Sequence, residues 1–328
     1  MYSPEQYRAI LEGAGLLDRS SRGRLRLTGA DRRDYLQGLL TNDIVALGPG
    51  AGCYAAYLTP QGRMIADMRV FETGGHLVVD LDGTRAALVA GRWEQLIFSE
   101  DVEVANITES TAEIGLYGPA AARVVAAMSD VAEEGLAALP LFGNHHAGAG
   151  LVVRSDDIGT LGFDLIVPVA LKDESVRRAL EAGAVAIDPA LAEAVRIEAG
   201  RPLFLADMDE DTIPLEAGIE DRAISFTKGC YVGQEVIIRV LHRGHGRVAR
   251  RLVRLALDEG AAIPARGDGI VSGEREIGHV TSAAASPSTG HPIALGYVHR
   301  DFATSGTRVD VRNAAGRVPA TIVLSPEP

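Results

Sequence analysis

Residues 225–240 read SFTKGCYVGQEVIIRV, a stretch that sets Cys230 between Gly229 and Gly233, with Lys228 two positions before the cysteine and Gln234-Glu235 four and five positions after it. The two glycines mark tight turns or close backbone approach, and VIIRV after them has the β-branched run of a buried strand. In an extended segment Lys228, Cys230 and Gln234 share a face, because side chains alternate along a strand, and an ammonium group there favours thiolate over thiol. Cys230 is therefore expected to be a nucleophile, a redox centre or a soft-metal ligand, the alternative being a small core residue. The other cysteine, Cys53, is far away in sequence and there is no C-x-x-C pair, which argues against a disulfide scaffold or zinc ribbon. Two thiols are also too few for an iron–sulfur cluster, which usually takes four, and no resident metal is expected. Lys172 and Lys228 are the chain's two lysines among 32 basic residues, so the one beside Cys230 stands where a compact ammonium is wanted rather than a planar guanidinium.

Just upstream, PALAEAVRIEAGRP (residues 189–202) reads as a helix opened by Pro189 and capped by Gly200. Leu191, Ala194, Val195 and Glu198 then fall at i, i+3, i+4 and i+7, which puts a carboxylate on the buried stripe. Such an acid either pairs with a nearby arginine or accepts two parallel donors from a ligand in bidentate fashion.

The rest of the chain frames these segments. At 328 residues it is long enough for two or three domains. In the first half helical stretches such as DRRDYLQGLLTND and TRAALVAGRWEQLIF alternate with the short strands CYAAYL, MIADMRVF and HLVVDL, and the turns between those strands predict hairpins. Beyond about Arg247 evenly spaced short strands predict a small closed or sandwiched β domain. A net charge of −12 disfavours delocalised binding to polyanions. Arg239, Arg243, Arg247, Arg250, Arg251 and Arg254, with His242 and His245 and no acid between, form one local basic stretch; it reads as a polyanion patch or as solvated strand faces. No apolar run is long enough to span a membrane, and the N-terminus reads as an amphipathic helix, so a cytoplasmic location is expected. P-loop, dinucleotide-binding, G-x-S-x-G and zincin motifs are absent.

VRIEAGRPLFLADMDEDTIPLEAGIEDRAISFTKGCYVGQEVIIRVLHRGH (residues 195–245), together with LTGADRRDYLQGLLTND and YLTPQGRMIADMRVF, closely resembles the YgfZ family of folate-binding proteins, relatives of the glycine-cleavage aminomethyltransferase. The resemblance covers nearly the whole chain, and KGCYVGQE is its specific mark. It implies an α+β fold, a GcvT-like ring of two interleaved subdomains over residues 1–240 with a break near 110, closed by a C-terminal β-barrel over residues 241–328. It also implies tetrahydrofolate, or a derivative, in the central opening. The function implied is support of iron–sulfur cluster assembly or repair through Cys230, with iron–sulfur proteins or their assembly factors as partners and tRNA modification in some members. The alternative is one-carbon transfer, as an aminomethyltransferase or demethylase. By position, Glu198 matches the acid that grips the pterin, Tyr54 a folate-contacting tyrosine, and Asp67 the aspartate of the one-carbon step, although Ala66-Asp67 stands where those enzymes commonly have paired aspartates. The implied catalytic set is Cys230, Asp67 and Lys228; the implied cofactor contacts are Glu198, Tyr54, Asp67, Gln234, Glu235 and Arg239. The stretch from Arg239 to Arg254 is then expected to meet the glutamate tail of folate or an RNA. Glu198 and Cys230 are expected to open on one hollow.

Overall fold

The computed structural model describes residues 2–243, 247–313 and 316–323, leaving aside the side chains of His242 and Arg243. Two sheets and a barrel organise them. One six-stranded sheet carries, in spatial order, Val185–Ala186, Gly15–Asp18, Thr111–Tyr117, Gly162–Pro168, Gly150–Ser155 and Asn144–Ala147. A five-stranded sheet carries Gly52–Leu58, Met64–Glu72, Leu77–Leu81, Gly23–Thr28 and Glu103–Asn106. The chain thus starts in one sheet, builds the other, and returns. The expected hairpins form: Gly52–Leu58 pairs antiparallel with Met64–Glu72, and that strand pairs antiparallel with Leu77–Leu81.

Alternation along these strands decides what each sheet face meets. Ala66, Met68, Val70, Leu77, Val79 and Leu81 point to an outer core that includes Tyr35, Leu36 and Leu39 of helix Arg32–Leu39 and Val89 and Trp93 of helix Ala86–Glu94. The six-stranded sheet does the same with Ile114, Leu116, Phe163 and Leu165 against helix Ala121–Met128. The inner faces oppose each other, giving helix, sheet, sheet, helix layers. Half of that inner layer is apolar, built from Phe71, Val78, Phe142, Leu151, Val153 and Ile166.

The other half is ionic. Arg69 is 2% exposed and sits at its centre. Its guanidinium donates to Asp80 Oδ2 at 2.5 Å, to Glu113 Oε1 at 2.9 Å, to Ser155 Oγ at 3.1 Å and to Asp164. Arg19, Arg22 and Arg24 join Arg69, so four guanidiniums face the four carboxylates of Asp80, Glu113, Asp157 and Asp164. Burial opposes charge on Arg69, but the surrounding carboxylates of Asp157, Asp80, Asp164 and Glu113 outweigh it and hold the guanidinium protonated.

The C-terminal strands close a six-stranded barrel in the order Arg250–Leu257, Pro292–His299, Arg275–Ala285, Gly269–Ser272, Arg308–Asn313 and Gly316–Val323. Ala284, Ile293 and Leu295 on its outside pack on Ala194 and Ile197 of helix Pro189–Glu198. Between that helix and the barrel, residues 201–241 wrap around the five-stranded sheet without a sheet of their own; Phe204, Met208, Leu215, Ile224, Tyr231 and Ile237 pack there on Ala56, Leu58 and Met64.

VIIRV departs from the expected strand: Gln234–Ile238 is an α-helix that continues through Arg239–Arg243 as a wider turn. The reason lies in burial period. Ile237 is buried, with Val240 and Leu241 packed beside it against the same core, the i, i+3, i+4 spacing of a helix face. Among the described residues no helix is long and apolar enough to cross a membrane.

Candidate functional site

A cavity of about 360 Å³ opens between the inner sheet faces, helix Pro189–Glu198 and the segment that follows it. This is within the range of about 300–1,000 Å³ usual for small-molecule sites. Its flat wall is aromatic: the rings of Tyr54 and Phe142 stack with centroids 6.4 Å apart and planes 24° from parallel. The Arg222 guanidinium lies 5.7 Å from the Tyr54 ring centre and 5.9 Å from that of Phe142, in reach of the ring quadrupoles.

Tyr54 and Asp67 meet because of sheet register. Tyr54 is opposite Arg69 and Asp67 opposite Ala56 across adjacent antiparallel strands, so the two are diagonal neighbours on the inner face. The Tyr54 hydroxyl donates to Asp67 Oδ2 at 2.6 Å. Burial raises the Asp67 carboxyl above its ordinary range against the opposing effect of that hydrogen bond, while burial and the Asp67 charge push the Tyr54 phenol well up. The pair can therefore hold a proton inside the cavity. Arg19, Arg69 and Asp157 bring the ionic layer to the same space.

Helix Pro189–Glu198 explains which other residues reach it. The Asp188 side chain caps its N-terminus by accepting from the Ala190 amide, and Gly200 follows it at φ +69°. Each residue turns the helix by about 100°. Ala192, Glu193 and Arg196 face the cavity, Ala194 and Ile197 the barrel, and Leu191 and Val195 the core around Ile10 and Leu17. Glu198 follows Arg196 by about 200° and turns away from the cavity. Its carboxylate accepts from the hydroxyls of Ser286 and Ser288 on the barrel loop, and its backbone carbonyl accepts from Arg254. Leu191, Ala194 and Val195 are buried as expected, divided between the core and the barrel, but Glu198 is half-buried against the barrel loop and is no wall of this hollow.

Cys230 is not in the hollow either; it is solvent-exposed. The loop that carries it is pinned on both sides. The Ser225 amide donates to Thr41 O and the Val232 amide to Gly38 O. Gly233 has φ +86°, and a Cβ there would come within 2.6 Å of Thr59 O, so the sharp turn before the helix requires glycine. Gly62, at φ +75°, packs on Val236 in the same contact.

Lys228 points away from Cys230. Its ammonium donates to the carbonyls of Gln37 and Leu40 at 2.6 Å each and of Asn42 at 3.0 Å, collecting carbonyls at the C-terminal end of helix Arg32–Leu39, where cations are favoured. Burial lowers its pKa to about 8, with Asp43 and Cys53 opposing. The nearby thiol is that of Cys53, which burial pushes up to about 12. Lys228 is thus a structural clasp, and the expected ammonium–thiol face does not form because the segment is bent rather than extended. Lys228→Met is expected to lower the unfolding free energy by about 2 kcal/mol, read by urea denaturation, because the carbonyls it satisfies lose a charged donor.

Gln234, Glu235 and Arg239 lie on the short helix after Gly233, outside the cavity lining. In the basic stretch, Arg250 pairs with Glu216 at 3.1 Å and lies 4.5 Å over the Tyr297 ring, so it and Arg254 are committed to the protein's own groups. His245 lies outside the described residues. Phe142, Arg201 and Arg222 are cavity residues that sequence patterning misses; charges at alternate positions of an apolar strand, as at Asp67 and Arg69 in MIADMRVF, are the signal available for the layer beneath.

Residues 2–228 match the GCVT N-terminal domain, and residues 250–327 match the glycine cleavage T-protein C-terminal barrel domain. The chain is 31% identical to an aminomethyltransferase of Rubrobacter xylanophilus, over 98% of this chain and 85% of that protein. It is 30% identical to one of Thermosynechococcus vestitus, over 98% and 87%. The fold superposes on the glycine cleavage system aminomethyltransferase T of Bartonella henselae with a TM-score of 0.88 at 21% identity, covering 98% of this chain and 88% of that one.

Proposed function

The chain belongs to the family of the GCVT N-terminal domain with its glycine cleavage T-protein barrel and has the folate-binding fold of that family, and on that premise we propose that it binds tetrahydrofolate in the central cavity. The single observation that carries the reading is the cavity itself: a stacked aromatic wall, a proton-holding Tyr54–Asp67 pair on the same tyrosine, and guanidinium donors in the lining. These residues suit a ligand that joins a flat heterocycle to an anionic tail. Tyr54 and Phe142 would hold the ring by stacking. Tetrahydrofolate, when bound, supplies nitrogens that carry a one-carbon unit.

Two uses of that site follow from two placements. With Cys230 exposed on a pinned loop outside the cavity, folate acts as an effector and the thiol serves a partner, which is the maintenance role toward iron–sulfur proteins that the KGCYVGQE resemblance implies. The Tyr54–Asp67 pair inside the cavity favours the second use, one-carbon transfer, with Asp67 taking or stabilising a proton.

Titration calorimetry tests the shared part. Tetrahydrofolate should bind saturably, Phe142→Ala should weaken it about tenfold, and Cys230→Ala should leave it within about twofold. Absence of saturable binding to the wild type overturns the reading. Formation of methylene-tetrahydrofolate from an aminomethyl or N-methyl donor, lost in Asp67→Asn, selects the transferase. No turnover, with Cys230→Ala failing to restore iron–sulfur enzyme activity in a deletion strain, selects the maintenance role.

A further inference from the structure

Two of the cavity's arginines share a single carboxylate. Asp156 is 6% exposed and accepts from Arg201 Nη2 at Oδ2 and from Arg222 Nη2 at Oδ1, each at 2.7 Å. Both arginines line the cavity, and among the described residues the Asp156 carboxylate is the one hydrogen-bond acceptor of either side chain. The other cavity arginines are matched: Arg22 by Asp80, Arg19 and Arg69 by the ionic layer, Arg196 by Glu193 and Asp207. Two guanidiniums on one carboxylate leave one positive charge and most of their N–H donors unused. Burial and then the neighbouring Arg222 charge work against the proton on Arg201 and outweigh the opposing effect of Asp156, Asp157 and Tyr54.

We propose that Arg201 and Arg222, braced by Asp156, form a carboxylate subsite in the cavity beside the Tyr54 and Phe142 rings. The geometry of two forked donors on a shared brace suits a planar anion held through several N–H groups. This deepens the folate reading and rests on it for the ring that stacks between. The carboxylate has two possible sources, the glutamyl end of the folate or a separate amino-acid donor of the one-carbon unit, and the chemistry is the same for both.

Three probes separate them: tetrahydrofolate, 6-methyltetrahydropterin, which keeps the ring and lacks the glutamate, and N-methylglycine. Arg222→Met and Arg201→Met are the variants, each leaving Asp156 with one guanidinium, and their melting temperatures are compared with that of the wild type; Arg222→Lys serves if Arg222→Met fails to fold. With the glutamyl source, each variant loses about ten- to a hundredfold in tetrahydrofolate affinity and keeps its 6-methyltetrahydropterin affinity. With the amino-acid source, both pterins bind as in the wild type and N-methylglycine binding falls by that factor. Equal weakening of tetrahydrofolate and 6-methyltetrahydropterin, or no change beyond about twofold for any probe, overturns the subsite. A wild type that binds neither pterin sinks the folate reading instead; arginine-dependent binding of N-methylglycine would then still support the subsite, and its failure would remove both.

Discussion

Arg69→Met is expected to cost about 4 kcal/mol of unfolding free energy, measured by denaturant titration at neutral pH, because removing one member of a buried charge network leaves its partners charged and unpaired. Arg69 touches Asp80 on its own sheet and Glu113, Asp157 and Asp164 from the opposing sheet side. All but Asp157 are at most 2% exposed, so water cannot replace the lost donors. The substitution preserves length and apolar bulk, which isolates the electrostatic loss from a cavity effect. A loss below about 1 kcal/mol would mean that the two sheets are held by the apolar half around Phe71 and Ile166 alone.

The second large effect is a pH dependence. Burial, reinforced by the charge of Asp80 and opposed by Arg69 and Arg19, raises Glu113 from 4.5 to about 7. The folded protein therefore binds this proton more tightly than the unfolded chain. The resulting stability is fully present below about 4.5 and is lost as pH rises through about 7. Glu113→Gln cannot titrate, so the stability difference between wild type and variant should shift by about 3 kcal/mol across that window, against the wild type as pH rises. Asp157 and Asp80 are held below their ordinary range despite burial by the guanidiniums of Arg69, Arg19 and Arg22. Their contribution is lost at more acid pH and is common to both proteins. Parallel stability profiles from pH 4 to 8 would show that Glu113 binds its proton equally well in the folded and unfolded chain, and would overturn the shift.

Periodicity made the helices and hairpins legible, because each buries one face and alternation or a 3.6-residue repeat records it. It also put Glu198 on one stripe with Leu191 and Val195, which are buried on the core around Ile10 and Leu17, whereas Glu198 is half-buried and meets the barrel loop with Ser286 and Ser288; a stripe names a face and not the neighbour that covers it. VIIRV misled because β-branched composition outweighed the 237, 240, 241 spacing. Lys228 was visible as one of two lysines, but its partners are carbonyls some 190 positions earlier, and long-range pairing leaves no trace in local pattern. Tyr54 and Asp67 came from resemblance, and register explains their contact. Phe142 and Arg222 stand outside periodic strands, where sequence carries no face at all.

Helix Pro189–Glu198 works as an axle with three loads: the ligand space on one side, the barrel on the second, the first helix on the third. Its angular positions are all taken, so a single residue gained or lost midway would rotate everything after it by about 100°, carrying Arg196 off Asp207 and Ile197 off the barrel at once. A change of length within this helix is thereby excluded, and the angle between ligand space and barrel is set by which of its ten residues face each.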